Sequence, residues 1–250
     1  MSTLLISDLH LEESRPQITK AFFRFLSTQA SDVDALYILG DLFEAWIGDD
    51  DDSEFVRQVK EALLRFTQSG VPTYFIHGNR DFLIGEKFAE ETGVTLLQES
   101  TVVNFYDEPV LLMHGDTLCT LDQQYMAFRE QVRSAQWQAQ ILSQSIEARR
   151  QIAAQLRNQS ASMSSNKAED IMDVTPEEVT SVMNREKVTK LVHGHTHRPA
   201  RHEFNLGKKP AERIVLGDWD QNGWYLEVKP DNWQLHQFSL STSSASASAK

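Results

Sequence analysis

Leu4-Leu5-Ile6-Ser7-Asp8-Leu9-His10 sets a pattern that recurs along the chain: a short apolar run followed by a polar block. Ala35-Leu36-Tyr37-Ile38-Leu39 leads into Gly40-Asp41, and Tyr74-Phe75-Ile76 leads into Gly78-Asn79-Arg80-Asp81. Val110-Leu111-Leu112-Met113 leads into His114-Gly115-Asp116, and Lys190-Leu191-Val192 leads into Gly194-His195-Thr196-His197. Short runs of this kind read as buried strands. In open α/β sheets, sites form outside the carboxyl ends of such strands. If the five strands share a sheet, their loops carry Asp, His and Asn side chains to one rim. Carboxylate, imidazole and amide oxygen together suit a pair of hard-to-borderline divalent metals.

Composition bounds the classes open to the chain. Its 250 residues suffice for one large domain with a full core, and 40% hydrophobic with 24% charged residues is ordinary for a globular protein. A net charge of −12 repels phosphate backbones and argues against general nucleic-acid binding. Cys119 is the single cysteine, so no intrachain disulfide can form, which fits a reducing cytoplasm. Asp8, Glu12 and Glu13 interrupt any apolar signal segment. No stretch approaches the roughly 20 apolar residues of a membrane span, so membrane contact is expected to be peripheral.

Helix signals alternate with the strand runs. Ser14-Arg15-Pro16-Gln17 resembles a capping box opening a helix to about Ala30. Ser53 to Gln68 reads as a second helix closed by Gly70, and Asp81 to Thr92 as a third closed by Gly93. This alternation predicts a largely parallel sheet. After Gly207, short strands around Arg213–Leu216, Trp224–Val228 and Gln234–Phe238 predict an antiparallel part. One domain is expected over 1–240, with an insertion over about 121–172 and a disordered low-complexity tail over 241–250. In the insertion, Trp137, Ile141, Ala148, Ile152 and Leu156 lie on a helical stripe. Arg129, Arg133, Arg149, Arg150, Arg157 and Lys167 outnumber Asp122, Glu130, Glu147 and Glu169 over 121–169, in a chain that is otherwise strongly acidic. The segment reads either as an amphipathic helix pair packed on the body or as a cap beside the site; its place between the fourth and fifth blocks favours the cap. Thr175-Pro176-Glu177-Glu178 predicts a second capping box.

Taken alone, each block is weak, because short polar pairs end many strands and Gly-Asp usually marks a turn. Jointly they are strong: of the eight histidines, His10, His114, His193, His195 and His197 all fall in these blocks or directly against them. His195 and His197 flank one residue and point the same way on an extended segment. Other residues favour structural readings. Asp49–Asp52 reads as a solvated loop, Cys119 as a small buried residue, His77 and His193 as loop-shaping, and His202 and His236 as surface or strand histidines. Trp219, Trp224 and Trp233 read as core or sheet-face residues.

In this order, Asp-x-His, Gly-Asp, Gly-Asn-x-Asp, His and Gly-His-x-His resemble the calcineurin-like metallophosphoesterase superfamily over residues 8 to 197. Two details resemble, more narrowly, its UDP-2,3-diacylglucosamine pyrophosphatases of lipid A biosynthesis. One is the run from Asp41 through Phe43, Trp46 and Gly48 to Asp50; the other is Arg80, where most of the superfamily carries histidine. The resemblance implies an α/β fold, a four-layer α/β/β/α sandwich with a helical cap. It implies that Asp8, His10, Asp41 and His197 hold one metal, and that Asp41, Asn79, His114 and His195 hold a second, with Asp41 bridging. It implies two Mn²⁺ per chain, although the ligand types alone leave iron, zinc and magnesium open. Asn79 and Arg80 would be catalytic, and Asn79, Arg80, Asp122, Ser160, Ser164, Lys167 and His195 would contact substrate. The implied reaction is hydrolysis of UDP-2,3-diacylglucosamine to UMP and 2,3-diacylglucosamine 1-phosphate by two-metal activated water. The implied setting is a cytoplasmic monomer, peripheral on the cytoplasmic face of the inner membrane, with a glycolipid-nucleotide substrate and no nucleic acid. Phe82, Leu83, Met126, Phe128 and Met172 are candidates to line an acyl groove, against core packing as their default.

Arg80 carries a physical reading of its own. Arginine stays protonated and cannot serve as a general acid. A phosphate leaving group needs none, since its second pKa is about 6, so arginine here suits a phosphoanhydride. Two other readings stay open: a phosphoesterase of the same superfamily acting on a soluble nucleotide or phosphoester, and a binding module that has lost its metals. The latter conflicts with a competent residue at every ligand position.

Overall fold

The computed structural model describes residues 2–164 and 173–240. Two sheets stand face to face. The first has the order β11(Asn232–Ser239)-β10(Asn222–Lys229)-β1(Thr3–Ile6)-β2(Ala35–Ile38)-β3(Thr73–Phe75)-β4(Thr95–Leu96). The second has the order β5(Ser100–Phe105)-β6(Glu108–Met113)-β7(Lys190–His193)-β9(Lys209–Val215)-β8(Ala200–Leu206). The strands that precede the polar blocks therefore do not share one sheet: β1, β2 and β3 lie in the first, β6 and β7 in the second. Within each group the strands run parallel, so their loops still emerge at a common edge.

Strand alternation builds the layers. Leu4, Ile6, Leu36 and Ile38 pack with Phe22 and Phe25 of α1 (Pro16–Ser27), Val59 and Leu63 of α2 (Glu54–Gln68) and Phe88 of α3 (Glu86–Thr92). Leu5, Tyr37 and Leu39 face the other way, onto Val110, Leu112, Val192 and Ile214 of the second sheet. Leu111, Met113 and Leu191 then meet Val179, Val182 and Met183 of α7 (Pro176–Glu186). The result is a helix–sheet–sheet–helix sandwich. Burial on both faces is why the central strands read as continuous apolar runs.

Several local expectations are corrected. The first helix ends at Ser27, and its N-cap is Arg15 with no side-chain cap; Pro16 alone sets the start. The third helix begins at Glu86 instead of Asp81. The Asp81 carboxylate accepts from the N–H groups of Gly78 (2.8 Å) and Leu42 (2.7 Å), which holds the chain in a loop. Thr175 is the N-cap of α7 without a side-chain cap bond; its hydroxyl accepts from Thr120 Oγ1 (2.8 Å). The terminal part is mixed: β10 pairs antiparallel with β1 and β11 antiparallel with β10, whereas β9 runs parallel to β7. The 241–250 tail lies outside the described residues.

The insertion forms three described helices, not two: α4 (Gln123–Arg133), α5 (Ala135–Leu142) and α6 (Ile146–Ser164). Ser134 ends α4 and caps α5, its Oγ accepting from the Trp137 N–H (3.3 Å). Arginines tie the helices to the body. Arg129 donates to buried Asp116 (2.7 Å), and Arg149 to Ile47 O (2.8 Å) and to Asp50.

The Asp49–Asp52 run is accordingly not simply solvated. Asp50 pairs with Arg149 and Asp51 with Arg150. Asp49 accepts from the backbone N–H groups of Gly85 and Phe88 (both 3.0 Å) and from Trp46 Nε1 (3.0 Å). It caps α3 from a distant loop. Asp49→Ala leaves these part-buried donors unpaired and is expected to destabilise the chain by about 1–3 kcal/mol. The check is the urea unfolding midpoint, with Asp52→Ala, at an exposed position, expected to change it little.

Candidate metal centre

Pairing between the first two strands continues past their ends. Asp8 N donates to Gly40 O (3.1 Å), His10 N to Asp41 O (3.0 Å), Leu11 N to Leu42 O (2.9 Å) and Glu44 N to Leu11 O (3.1 Å). The Asp8–Leu11 and Asp41–Glu44 segments thus lie side by side. Loops from elsewhere close on their carboxylates: His195 N–H donates to Asp8 Oδ2 (3.0 Å) and Arg80 N–H to Asp41 Oδ1 (2.8 Å). This approach needs a glycine in each closing loop. A Cβ on Gly194 would stand 2.1 Å from Asp8 Oδ2, and one on Gly78 2.1 Å from Asp41 Oδ1.

Side-chain donors converge in two groups. Around Asp8, His197 Nε2 lies 3.4 Å from Asp8 Oδ1 and 3.2 Å from His10 Nε2, which is 3.9 Å from Asp41 Oδ2. Asn79 Oδ1 lies 2.9 Å from both His114 Nε2 and His195 Nδ1, and His114 Nε2 is 3.6 Å from Asp41 Oδ2. The two groups meet at Asp41 Oδ2. Ligands at about 2.1 Å in an octahedron place neighbouring donors about 3 Å apart. These spacings therefore fit a divalent cation in each group, and the donor set of oxygen and imidazole, with no thiolate, fits the same class. Asp8, His10 and His197, and likewise Asp8, Asp41 and His114, each bring three donor atoms within 4.8 Å of one another.

Electrostatics shows how tightly these groups interact. Burial alone would raise the Asp8 carboxyl, but the hydrogen bond and charge of His197 hold it well below the carboxylate range. Burial opposes protonation of His197 as well, yet Asp8 overrules it and holds His197 up to about 9. His195 is pushed down to about 4 by burial and by the charge of His114, and His10 is lowered by burial. A neutral imidazole is the ligating form, which these shifts favour at His10 and His195 but not at His197. The backbone is also unusual. Asp8 (φ 57°), His10 (50°), Asp41 (53°), His195 (68°) and His197 (55°) are all left-handed, a conformation costing L residues roughly 1–2 kcal/mol each.

The remaining expected residues divide. Asp122 caps α4, accepting from Tyr125 N (3.0 Å), and with Asn79 and Arg80 it lines a cavity of about 190 Å³ between body and insertion. Ser160 and Ser164 fall on α6, and Lys167 lies outside the described residues. Phe82, Leu83 and Phe128 line the cavity, as do Trp137, Ile141, Ile152 and Leu156 of the helical stripe; Met126 does not, and Met172 is not among the described residues. Arg80 is half-buried in this lining, and its Nε atom has no hydrogen-bond partner among the described residues. His193 is buried beside Arg213 (3.1 Å) and pushed down to about 3 by burial and by that charge. Burial pushes the Cys119 thiol up to about 12, which removes it as a nucleophile.

Sequence reasoning passed over Glu44, Asp116 and Tyr125. Glu44 Oε2 lies 2.8 Å from His10 Nδ1. Asp116 accepts from Tyr125 OH (2.7 Å), whose ring lies 5.9 Å from that of His195. Asp116 stands two residues after His114, and Glu44 three after Asp41, so block spacing was the available signal.

Comparison with known proteins agrees with this geometry. The family model for calcineurin-like phosphoesterases matches residues 1–199. A curated protein of Cellvibrio japonicus named UDP-2,3-diacylglucosamine hydrolase is 55% identical over 240 residues, covering 96% of this chain and the whole of that relative. Proteins of the same name from Chromohalobacter salexigens (53% identity, 92% of this chain and 94% of the relative) and Salmonella arizonae (50%, 96% and 100%) match equally broadly. On its matched length, its relatives and its converging ligand set, the chain belongs to the calcineurin-like phosphoesterase family.

Proposed function

We propose that this chain hydrolyses the pyrophosphate bond of UDP-2,3-diacylglucosamine, releasing UMP and 2,3-diacylglucosamine 1-phosphate. The observation that carries the reading is the joining of two chemistries in one space. Asn79, one of the converging donors, and Arg80 share a cavity whose other walls include Phe82, Leu83, Trp137 and Ile152. The lining offers polar donors for a phosphate group at one end and an apolar wall for an acyl chain beside it. The names and extent of the relatives support the same substrate.

Asp8, His10, Asp41 and His197 would hold one Mn²⁺, and Asp41, Asn79, His114 and His195 a second. Bound there, the pair supplies Lewis acidity and a water of lowered pKa. The chain's own residues do the rest. Asn79 fixes its amide oxygen between His114 and His195 (2.9 Å each). Arg80 offers a permanently charged fork to the phosphoryl oxygens, and it does not release a proton near neutral pH, so the leaving phosphate departs as an anion. The helices α4–α6 act as a cap that shields the anhydride and seats the acyl chains. Leu121, Phe128 and Leu142, exposed on or beside those helices, would meet the lipid surface of the inner membrane. Among the described residues no helix is long and apolar enough to cross a membrane.

Asp41→Ala removes the shared donor of both groups. We expect it to lower Mn²⁺ uptake at both sites and turnover by at least about 10³-fold, while His202→Ala on β8 leaves both near normal. Metal analysis and turnover of the lipid pyrophosphate check this, and near-normal turnover of Asp41→Ala with added Mn²⁺ would overturn the two-metal reading.

Arg80→Ala is expected to keep both metals and lose about 10²–10³-fold in rate, the scale of one lost charge-stabilising donor. Arg80→His regains a positive charge only when protonated, so partial recovery is expected below about pH 6.5. Turnover across pH is compared for the lipid pyrophosphate and a simple alkyl phosphate. Equal cleavage of both by the unaltered chain would refute the phosphoanhydride assignment.

A further inference from the structure

The Glu44 carboxylate belongs to no ligand group, yet it lies between the metal centre and the insertion. On one side its Oε2 is 2.8 Å from His10 Nδ1, the imidazole nitrogen turned away from the donor cluster. The approach is off the ideal hydrogen-bond line, so this is a charge contact more than a directed bond. On the other side, Arg157 of α6 forms an ion pair with Glu44 Oε1 and donates from the same nitrogen to Glu44 O (3.0 Å). Glu44 itself is fixed by its backbone bond to Leu11, next to His10 (3.1 Å). The other described attachments of α6 to the body are the pairs Arg149–Asp50 and Arg150–Asp51 and the bond from Arg149 to Ile47 O. Arg149 and Arg157 sit eight residues apart, close to two helical turns, so both reach the same side.

We propose that Glu44 is a positioning residue that couples cation occupancy at the Asp8–His10–His197 group to the seating of α6 over the cavity. The inference rests on the metal-site reading above. Charge chemistry gives the direction. A cation on His10 Nε2 draws electron density from the ring and makes Nδ1–H a stronger partner for a carboxylate, as outer-shell carboxylates do for metal-bound histidines. That interaction holds Glu44 in the position where its other oxygen meets Arg157. Coupling of this kind is reciprocal: α6, through Arg157, holds Glu44 where His10 is best oriented for the cation. The fold thus closes the cavity most firmly when the chemistry inside it is assembled.

The test uses the full chain stripped of metal and titrated with Mn²⁺. Calorimetry reads affinity, and hydrogen exchange reads the amides of residues 146–158. The unaltered chain is expected to bind two Mn²⁺ and to slow exchange in α6 several-fold on binding. Glu44→Gln is expected to weaken one of the two sites about 10-fold, at the low end of outer-shell effects, and to lose the α6 response. Arg157→Ala is expected to weaken the same site by a smaller factor, and Arg157→Lys to restore part of it. If the unaltered chain binds fewer than two Mn²⁺, the metal-site reading fails and the coupling with it. If it binds two while α6 exchange ignores them, or if Glu44→Gln responds as the unaltered chain does, the coupling alone is overturned.

Discussion

Two buried carboxylates, Asp8 and Asp41, govern how this chain is built. A carboxylate removed from water must be met by donors or positive charge, or it will not stay ionised. Here backbone N–H groups from the His195 and Arg80 loops supply part of that need, and imidazoles supply more. The loops can come close enough only because Gly194 and Gly78 lack a Cβ. The two sheets must therefore meet with their carboxyl edges in register, since Asp8, Asp41 and Asn79 come from one sheet and His114, His195 and His197 from the other. The apolar layer between the sheets, centred on Leu5, Leu39, Leu112 and Val192, is what keeps that register.

Placement of the insertion follows from the same constraint. It leaves the body after the His114 block and returns before the Gly194 block, so its helices rise from the edge where the donors gather. Tyr125 and Arg129 anchor α4 on Asp116, and the arginines of α6 anchor on the segment 44–51. Most of these are charge pairs rather than packed apolar contacts. The apolar faces of α5 and α6 are thereby left to line a space rather than fill a core.

Much of this was legible in the sequence, for a definite reason. Continuous apolar runs such as Leu4–Ile6 and Val110–Met113 stand out because both faces are buried, and the Asp- and His-bearing blocks at their ends are telling because five of them recur together. Division of the strands between two sheets was not legible from the runs, because a buried strand reads the same in either sheet. β5 and β8 were missed because half their side chains face outward and polar residues break the pattern. The start of α3 was misplaced because Asp81 resembles a helix cap, whereas its carboxylate serves a loop from another strand. Glu44 went unnoticed because its meaning depends on His10 and Arg157, both brought beside it only by the tertiary fold. Residue-level pattern finds groups that act within their own loop; it does not find groups defined by neighbours distant in sequence.

The left-handed backbone at Asp8, His10, Asp41, His195 and His197 bears on how such a chain can change. Glycine would adopt these angles without strain; at Asp8 and Asp41 that gain is offset by the backbone N–H groups their carboxylates hold, so folding alone favours loss of the side chain at the three histidines. Selection for thermal robustness and selection for chemistry therefore pull in opposite directions at the same residues. A library sorted only for resistance to heat or denaturant would drift toward glycine there and yield well-folded, inert proteins. Robustness compatible with activity has to be sought elsewhere, in the helix ends and the outer strands.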